Sequence, residues 1–534
     1  MRGLFYCTAL PVWEGFDEYG HVAVIQYVFF HHAIPNSRTA SSSREIAESL
    51  KLVPSPWILR DETKGLLSYE AYWRLPAQDR AERQARLRSL PPAWSAEDAE
   101  PSLPLYEAQQ PPLYYWLLLP VYWSVKLLDL PTQVLVLRCV TLLLASTAVP
   151  LAFLTARRVF GTERAALGVA IVVASMPQLT IDAFRAGNEG LSIAVGSLAV
   201  LAVVSLWDKP PQLTRGAVVG LALGAALLTK AYFLALLPWA TCVLIAVFIR
   251  AGNRRGAAGW QLASALATCL LVAGWYYQRV FFLTGTLTGE QSDVAARASH
   301  VSWFEAVRVL PWRRTFDFIA VSHIWLGNWS FLVVRAWMYR AIELVFVLGF
   351  LGIVLQFTRA RKSLPKSKAI CALSMPSLLL LLGLFFHAVQ GFRSYGKSGT
   401  MGYYLLSLVV PETVILLIGL FRLLPERAEL LAVPVLAIIF NALEQFGMTF
   451  LLLPYYAGII QHDSRGHLPT FRISQAAHGG AGRLFANLLA NKPSFLTSPE
   501  LMIMMGLSFG AAVTLVSIAC MLAARTSLSR GEDG

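Results

Sequence analysis

The chain reads as a succession of long apolar runs separated by short polar joints. A helix that crosses a bilayer needs about 20 apolar residues. Eleven runs meet or approach that length: 134–156, 164–182, 189–207, 215–230, 232–250, 257–283, 339–358, 370–390, 403–422, 429–453 and 500–523. The pattern predicts an all-α, polytopic bundle of membrane helices. Runs 215–230 and 232–250 meet at Leu228-Thr229-Lys230-Ala231, where the lysine marks a water-facing turn. Composition then narrows the class. Of 534 residues, 56% are hydrophobic and 14% charged, against roughly a quarter charged in a soluble chain. Too few polar residues remain to cover a water-facing surface, which excludes a cytosolic enzyme, a disordered chain and a disulfide scaffold. The six cysteines have no metal-like spacing and read as small buried hydrophobes.

A formal charge of +13 and a pI near 9.5 raise the question of nucleic acid, but the basic residues sit in short joints between apolar runs. Arg157, Arg158 and Arg164, then Lys209 and Arg215, Arg250 to Arg255, Arg359 to Lys368, Arg422 and Arg427, and Arg525 and Arg530 occupy every second joint. Joints rich in lysine and arginine stay in the cytoplasm. No nucleic-acid partner is expected, and segments 1–133, 183–188, 284–338, 391–402 and 454–499 fall on the outer face. The chain divides accordingly. A first outer loop (1–133) precedes six spans (134–283) and an outer loop (284–338). Four spans (339–453), a last outer loop (454–499) and a final span with a cytoplasmic tail (500–534) complete it.

The parity bears on 113–130, an apolar stretch with three tyrosines, two tryptophans and Pro120. Counting it as a span would place the arginine clusters outside, so it is read as a helix in the outer interface. Residues 36–104 form the one long polar stretch, with a capping-box start at Ser42-Ser43-Arg44-Glu45 and a charged helical run near 79–90. They read as a surface excursion, not an independent domain. Only about 13 residues precede the first acidic cluster, too few to cross a bilayer. The expectation is that the natural start lies upstream and that a first span is missing from this chain.

Four polar clusters share the outer face. Trp13-Glu14-Gly15-Phe16-Asp17-Glu18-Tyr19-Gly20-His21 holds three carboxylates and a histidine. Crowded carboxylates at a membrane surface suit general-base work; the bland alternative is a solvated turn capping a helix. A zinc site is weaker, since only one histidine is present. Tyr106-Glu107-Ala108-Gln109-Gln110-Pro111-Pro112 is either a polar lining or a rigid membrane-entry turn. Asp182, Arg185, Asn188 and Glu189 lie in a short joint, as functional ionisable groups or as helix caps. Gly391 to Tyr404, with Arg393, Lys397, Tyr403 and Tyr404, is a glycine-rich basic loop suited to an anion such as phosphate, or a flexible loop without a ligand. Two acidic loops opposite a basic one suggest a transfer site for an anionic lipid-linked donor.

The order Asp17-Glu18-x-x-His21, Tyr106-Glu107-Ala108-Gln109-Gln110-Pro111-Pro112-Leu113-Tyr114-Tyr115, Asn188-Glu189-Gly190-Leu191 resembles the C-type membrane glycosyltransferases, which include the protein O-mannosyltransferases and the lipid A aminoarabinose transferase. Leu227-Leu228-Thr229-Lys230, Gly274-Trp275-Tyr276-Tyr277-Gln278-Arg279 and Gly327-Asn328-Trp329 look like marks of a bacterial branch of that superfamily. The resemblance implies an extracytoplasmic site in a bacterial inner membrane, a polyprenyl-phosphate sugar as donor, an acceptor hydroxyl on a glycan, lipid or protein, and usually inversion at the anomeric carbon. By position, it makes Asp17 the base with Glu18 as its catalytic neighbour. His21, Glu107, Gln109, Gln110, Asp182, Asn188, Glu189, Tyr403 and Tyr404 would line the site. Gln110 stands where a His or Lys is common, and Tyr403-Tyr404 where an Arg-Tyr pair is common, so the leaving phosphate falls to Arg393, Lys397 or Lys230. Some relatives use a divalent cation; Asp17, Glu18, His21 and Glu189 would supply its ligands if they converge. The competing readings are a secondary transporter or lipid flippase, and an envelope-polymer polymerase or ligase.

Overall fold

The computed structural model of the chain describes residues 1–55, 66–91, 99–289, 301–396, 399–463, 466–472, 474 and 480–529. Lys397, Arg530, Pro56 and Pro92 lie outside them. Among the described residues, eight helices are long and apolar enough to cross a bilayer: Leu130–Phe160, Ala231–Arg250, Gly252–Thr284, Ala336–Thr358, Ser367–Tyr395, Gly402–Leu423, Glu429–Tyr456 and Ser498–Ala524. The bent pair Glu163–Ser175 and Pro177–Phe184 and two shorter apolar helices, Asn188–Val204 and Leu213–Leu227, account for the remaining runs. The chain is an integral membrane protein built almost wholly of helix.

Local chemistry sets the boundaries that matter for the site. Asp129 opens Leu130–Phe160 by accepting from the Thr132 N–H at 2.9 Å, and Gly161, at φ 72°, closes it. Run 164–182 is not one straight span: it breaks by 60° between Ser175 and Pro177. Pro177 has no N–H to continue the helix, and it holds Met176 extended at ψ 122°. The short helix beyond the break brings Asp182 and Arg185 inward. Helix Ser367–Tyr395 runs into the stretch read as a glycine-rich loop and stops at Gly396, φ 65°. The remaining loop is therefore shorter than 391–402. Gly402 then lets the next segment pass tightly behind Ile319, whose carbonyl a Cβ would overlap, while its N–H donates to Ser322 Oγ at 2.7 Å.

The described residues among the first 130 form a cap of short elements: α1 (Arg2–Ala9), α2 (Glu18–His31), β1 (Ser41–Ser43), α3 (Arg44–Leu52), α4 (Tyr69–Arg74), α5 (Ala77–Arg88), β2 (Ala99–Pro104) and α6 (Leu113–Val125). Strands β1 and β2 pair antiparallel, Ser43 with Ala99, and so close the polar excursion at its base. The helix start expected at Ser42 falls one residue later, because Ser43 Oγ accepts from Ile46 N. Glu45 does not complete a capping box. It turns inward to Gln26 Nε2 at 2.7 Å. Helix α6 is 13 residues with Pro120 inside it, about 20 Å at 1.5 Å per residue, and too short to cross a bilayer core of about 30 Å.

Candidate functional site

The turn that carries Asp17 is held from several directions. Arg138, inside the first long apolar helix, donates to the carbonyls of Cys7, Leu10 and Pro11 and to both oxygens of Glu18, at 2.7 and 2.6 Å. Glu18 also accepts from the backbone N–H of Trp13 and of Ala186. Lys492 Nζ reaches the Leu10 carbonyl. The sequence reading pairs Glu18 with Asp17 in the chemistry; the structure separates them, because every strong interaction of the Glu18 carboxylate serves to fasten the turn. Removing one partner of a buried ion pair costs about 3–5 kcal/mol. Glu18→Gln should therefore lower the thermal midpoint in detergent well beyond the effect of an exposed change such as Glu82→Gln.

Glu14 does the same work on the other side. Its carboxylate, wholly buried, accepts from Tyr456 Oη at 2.6 Å, Ser330 N at 2.8 Å and Tyr69 Oη at 3.0 Å. Its carbonyl accepts from Trp329 N. Tyr19 stacks on Trp329 at 5.7 Å, so Gly327-Asn328-Trp329 is a brace for the acidic turn. Trp13 and Asp17 both sit at positive φ, 65° and 55°, a conformation that costs a non-glycine residue about 1–3 kcal/mol and persists only where its surroundings impose it. The clamps on Glu14 and Glu18 are those surroundings.

Asp17 faces a polar chamber. Its carboxylate acts through space on Tyr106, whose hydroxyl it raises above its usual value, and on Glu107, whose acid it also raises. Phe16 packs on the Tyr403 ring at 5.2 Å. Tyr403 and Tyr404 lie in the 3-10 segment Gly402–Leu408 that opens a membrane helix. Each ring also meets a buried cation: Arg185 lies 4.7 Å from the Tyr403 centroid and 5.3 Å from that of Phe16, and Lys230 lies 5.6 Å from that of Tyr404. Lys230, expected in a water-facing turn, is buried and donates to Glu189 Oε1 at 2.6 Å, because the 3-10 segment Ala231–Ala235 folds the chain back inward there. Arg185 is fully buried and stands 3.4 Å from Asp182 and 3.5 Å from Glu189. None of its three nitrogens makes a hydrogen bond within the protein. A buried guanidinium with unspent donors is a fitting seat for an anion.

The remaining motifs close the chamber. Asn188 donates to Gln110 Oε1 at 3.1 Å and to the Thr229 carbonyl at 3.2 Å; it caps no helix, since Gly187 holds that position. Gln110 hydrogen-bonds Glu107. Tyr276 Oη donates to the Gln109 carbonyl and Tyr277 Oη to that of Leu227, which joins three of the motifs quoted above. Gly20 gives α2 room to pass Glu107, whose Cγ a Cβ would meet at 3.1 Å. His21 Nδ1 bonds Tyr115 Oη at 2.9 Å, and its Nε2 stands 3.8 Å from Glu189. Burial lowers the His21 pKa to about 3, so the ring is neutral.

Burial pushes Glu14 and Glu45 up to about 7, and burial together with the Asp17 charge pushes Glu107 up to about 8. The folded chain thus holds protons that an unfolded carboxylate releases near 4.5. This contribution to stability is complete below that value and is lost as pH rises through 7 to 8. The thermal midpoint should accordingly be lower at pH 8.5 than at pH 5.5.

The arrangement differs from the sequence reading in its cations. Arg393 lies at the end of helix Ser367–Tyr395, over Trp303 at 4.9 Å, and donates to the Val301 carbonyl and to Gln390. These partners belong to a neighbouring helix pair, not to the chamber. The chamber cations are Lys230 and Arg185, the second named in the polar joint but not among the candidates for the phosphate. The sequence reading also left out Arg138, and two further ion pairs, His323 with Glu412 and Arg2 with Glu444, lie outside the site. Arg138, Glu412 and Glu444 are each an ionisable residue inside an apolar run, which is the signal that should have found them. Asp17, Glu18, His21 and Glu189 do not converge, since Glu18 is committed to Arg138. Among the described residues no three His, Cys, Asp or Glu side chains come together as a metal site.

No known family profile and no curated protein matches the sequence. Among solved structures, the chain is similar to ArnT from Cupriavidus metallidurans bound to undecaprenyl phosphate, at 14% identity and a TM-score of 0.40, over 95% of this chain and 75% of that one. It is also similar to the archaeal oligosaccharyltransferase AglB from Archaeoglobus fulgidus, in complex with an inhibitory peptide and a dolichol-phosphate, at 12% identity and a TM-score of 0.33, over 78% of this chain and 48% of that one. At these values the likeness is one of overall layout and says nothing of chemistry.

Proposed function

We propose that the chain is a membrane glycosyltransferase that moves a sugar from a polyprenyl-phosphate carrier to an acceptor hydroxyl. One observation carries the reading: the acidic turn at Asp17 and the buried cations Arg185 and Lys230 flank the same pair of tyrosine rings, Tyr403 and Tyr404. Asp17 takes the proton of the acceptor hydroxyl as its oxygen bonds the anomeric carbon. The bond from that carbon to the phosphate oxygen breaks, and its electrons leave with the polyprenyl phosphate. Arg185 and Lys230 stabilise the charge that gathers there, in a setting from which water is largely excluded. Attack opposite the leaving group inverts the anomeric carbon. The neutral acid of Glu107 and the amides of Gln109, Gln110 and Asn188 orient the sugar.

The same helices support an outer-face reading. Helix Gly402–Leu423 begins at Tyr403 and ends beside Arg422, which bonds the Arg359 carbonyl. The chamber and the basic joints thus lie roughly 30 Å apart at opposite ends of one helix, which favours a site on the outer side of a bacterial inner membrane. Incubating the purified chain in lipid nanodiscs with radiolabelled polyprenyl-phosphate sugars and hydroxyl acceptors tests the proposal. Label on the acceptor, with free polyprenyl phosphate released in equal amount, is the expected result. Lipid that crosses the bilayer with its sugar still attached would replace the transferase with a flippase.

A further inference from the structure

The cap contains a second recess, away from the Asp17 chamber, between α5 and the chain from Ala486 to Leu496, with a volume of about 310 Å³. Arg80, Gln84 and Arg88 line one wall, at the four-residue spacing of a single helix face, with Ala81 beside them. Asn487 and Pro493 belong to the other wall, and among the described residues no carboxylate lines the recess. Helix α5 does carry Asp79 and Glu82, but neither belongs to this face.

The walls are fixed by bonds that leave donors over. Arg80 ties the end of α4 through the Trp73 and Leu75 carbonyls, using one nitrogen for both. Arg88 Nη2 donates to the Lys492 carbonyl beside the recess at 3.1 Å, and its other N–H groups have no partner among the described residues. Gln84 and Asn491 both donate to Tyr72 Oη, and Asn487 donates to the Ala457 carbonyl. Two guanidinium forks on a rigid frame, with no acid beside them, suit a carboxylate or phosphate. The frame also leads to the chamber: Trp73 Nε1 donates to the Tyr456 carbonyl, and the hydroxyl of Tyr456 donates to Glu14, three residues from Asp17.

We infer that this recess is an acceptor subsite, which binds the anionic group, phosphate or carboxylate, of the glycan or lipid whose hydroxyl is presented at Asp17. The assignment to the acceptor rests on the transferase reading; the binding of an anion does not. Ala81 is exposed, so its substitution removes no packing and spares the chamber. Ala81→Glu sets a carboxylate between the two arginines, and Ala81→Lys adds a third cation of similar length.

The test is equilibrium binding of three soluble probes to the detergent-purified full chain: a phosphorylated disaccharide, a uronic-acid disaccharide and their neutral parent. Either anion, or both, should bind at least tenfold more tightly than the parent, and the preferred one identifies the acid group. Ala81→Glu should weaken that binding at least tenfold, while Ala81→Lys and Asp17→Asn leave it intact. Equal binding of the three probes, or indifference to Ala81→Glu, overturns the subsite. Anion binding that persists in a chain without transfer activity sinks the transferase reading and keeps the anion site. In an active chain, Ala81→Glu should raise KM for an anionic acceptor and leave kcat and the donor KM unchanged; an unchanged acceptor KM would detach the recess from the reaction.

Discussion

Asp17→Asn should lower kcat for sugar transfer by roughly 10²–10⁴-fold, the usual contribution of a positioned general base, while the donor still binds. Asparagine keeps the shape of the side chain and suits positive φ better than most residues, so the turn should survive. The clamps on that turn belong to Glu14 and Glu18, and neither is touched. Comparing kcat, donor affinity and thermal midpoint separates the roles: activity falls while the other two hold. Transfer at the unsubstituted rate would take the base role away from Asp17 and leave its backbone strain without a catalytic reason.

The second large effect is expected at the cations. Lys230→Met removes one of two charges opposite the leaving phosphate, and should cost about 10²–10³ in kcat, as the loss of a donor aimed at developing charge does. Glu189 complicates the single variant, because it stays buried with one partner fewer. The double variant Lys230→Met with Glu189→Gln restores the balance. Stability should recover in the double variant and activity should not, a split that a purely structural lysine would not produce. Arg185→Lys keeps the charge beside Asp182 and Glu189 but gives up the guanidinium fork, so it should fold and bind polyprenyl phosphate more weakly. Full retention of both rates and affinities would move the phosphate away from this pair.

Hydropathy alone located the helices, because a span announces itself through some 20 residues. The bend at Pro177 was also open to reading, since a proline inside an apolar run either kinks or ends its helix. The motifs were legible as motifs, and Asn188, Gln110 and Lys230 do come together. What the chain conceals is which charge at a helix end turns inward. Arg393 sits among glycines and hydroxyls, in the more inviting loop, yet its helix runs on through Tyr395 and carries it to Trp303. Arg185 sits in a tighter joint, and only the break before Pro177 aims it at Tyr403. Glu18 misled for a similar reason. Adjacent carboxylates look alike until Arg138, 120 residues away, selects one of them.

The fastening of the acidic turn has a consequence for how the protein is made. Its partners at Tyr456 and Lys492 lie 442 and 482 residues downstream of Glu14 and Leu10. A nascent chain therefore displays Asp17 with only its nearer holds, from Tyr69 and Arg138, before the two distant ones exist. The turn is thus fully fastened only once the segments bearing Tyr456 and Lys492 have been made and packed, and a copy stalled before them would carry Asp17 on a looser hinge.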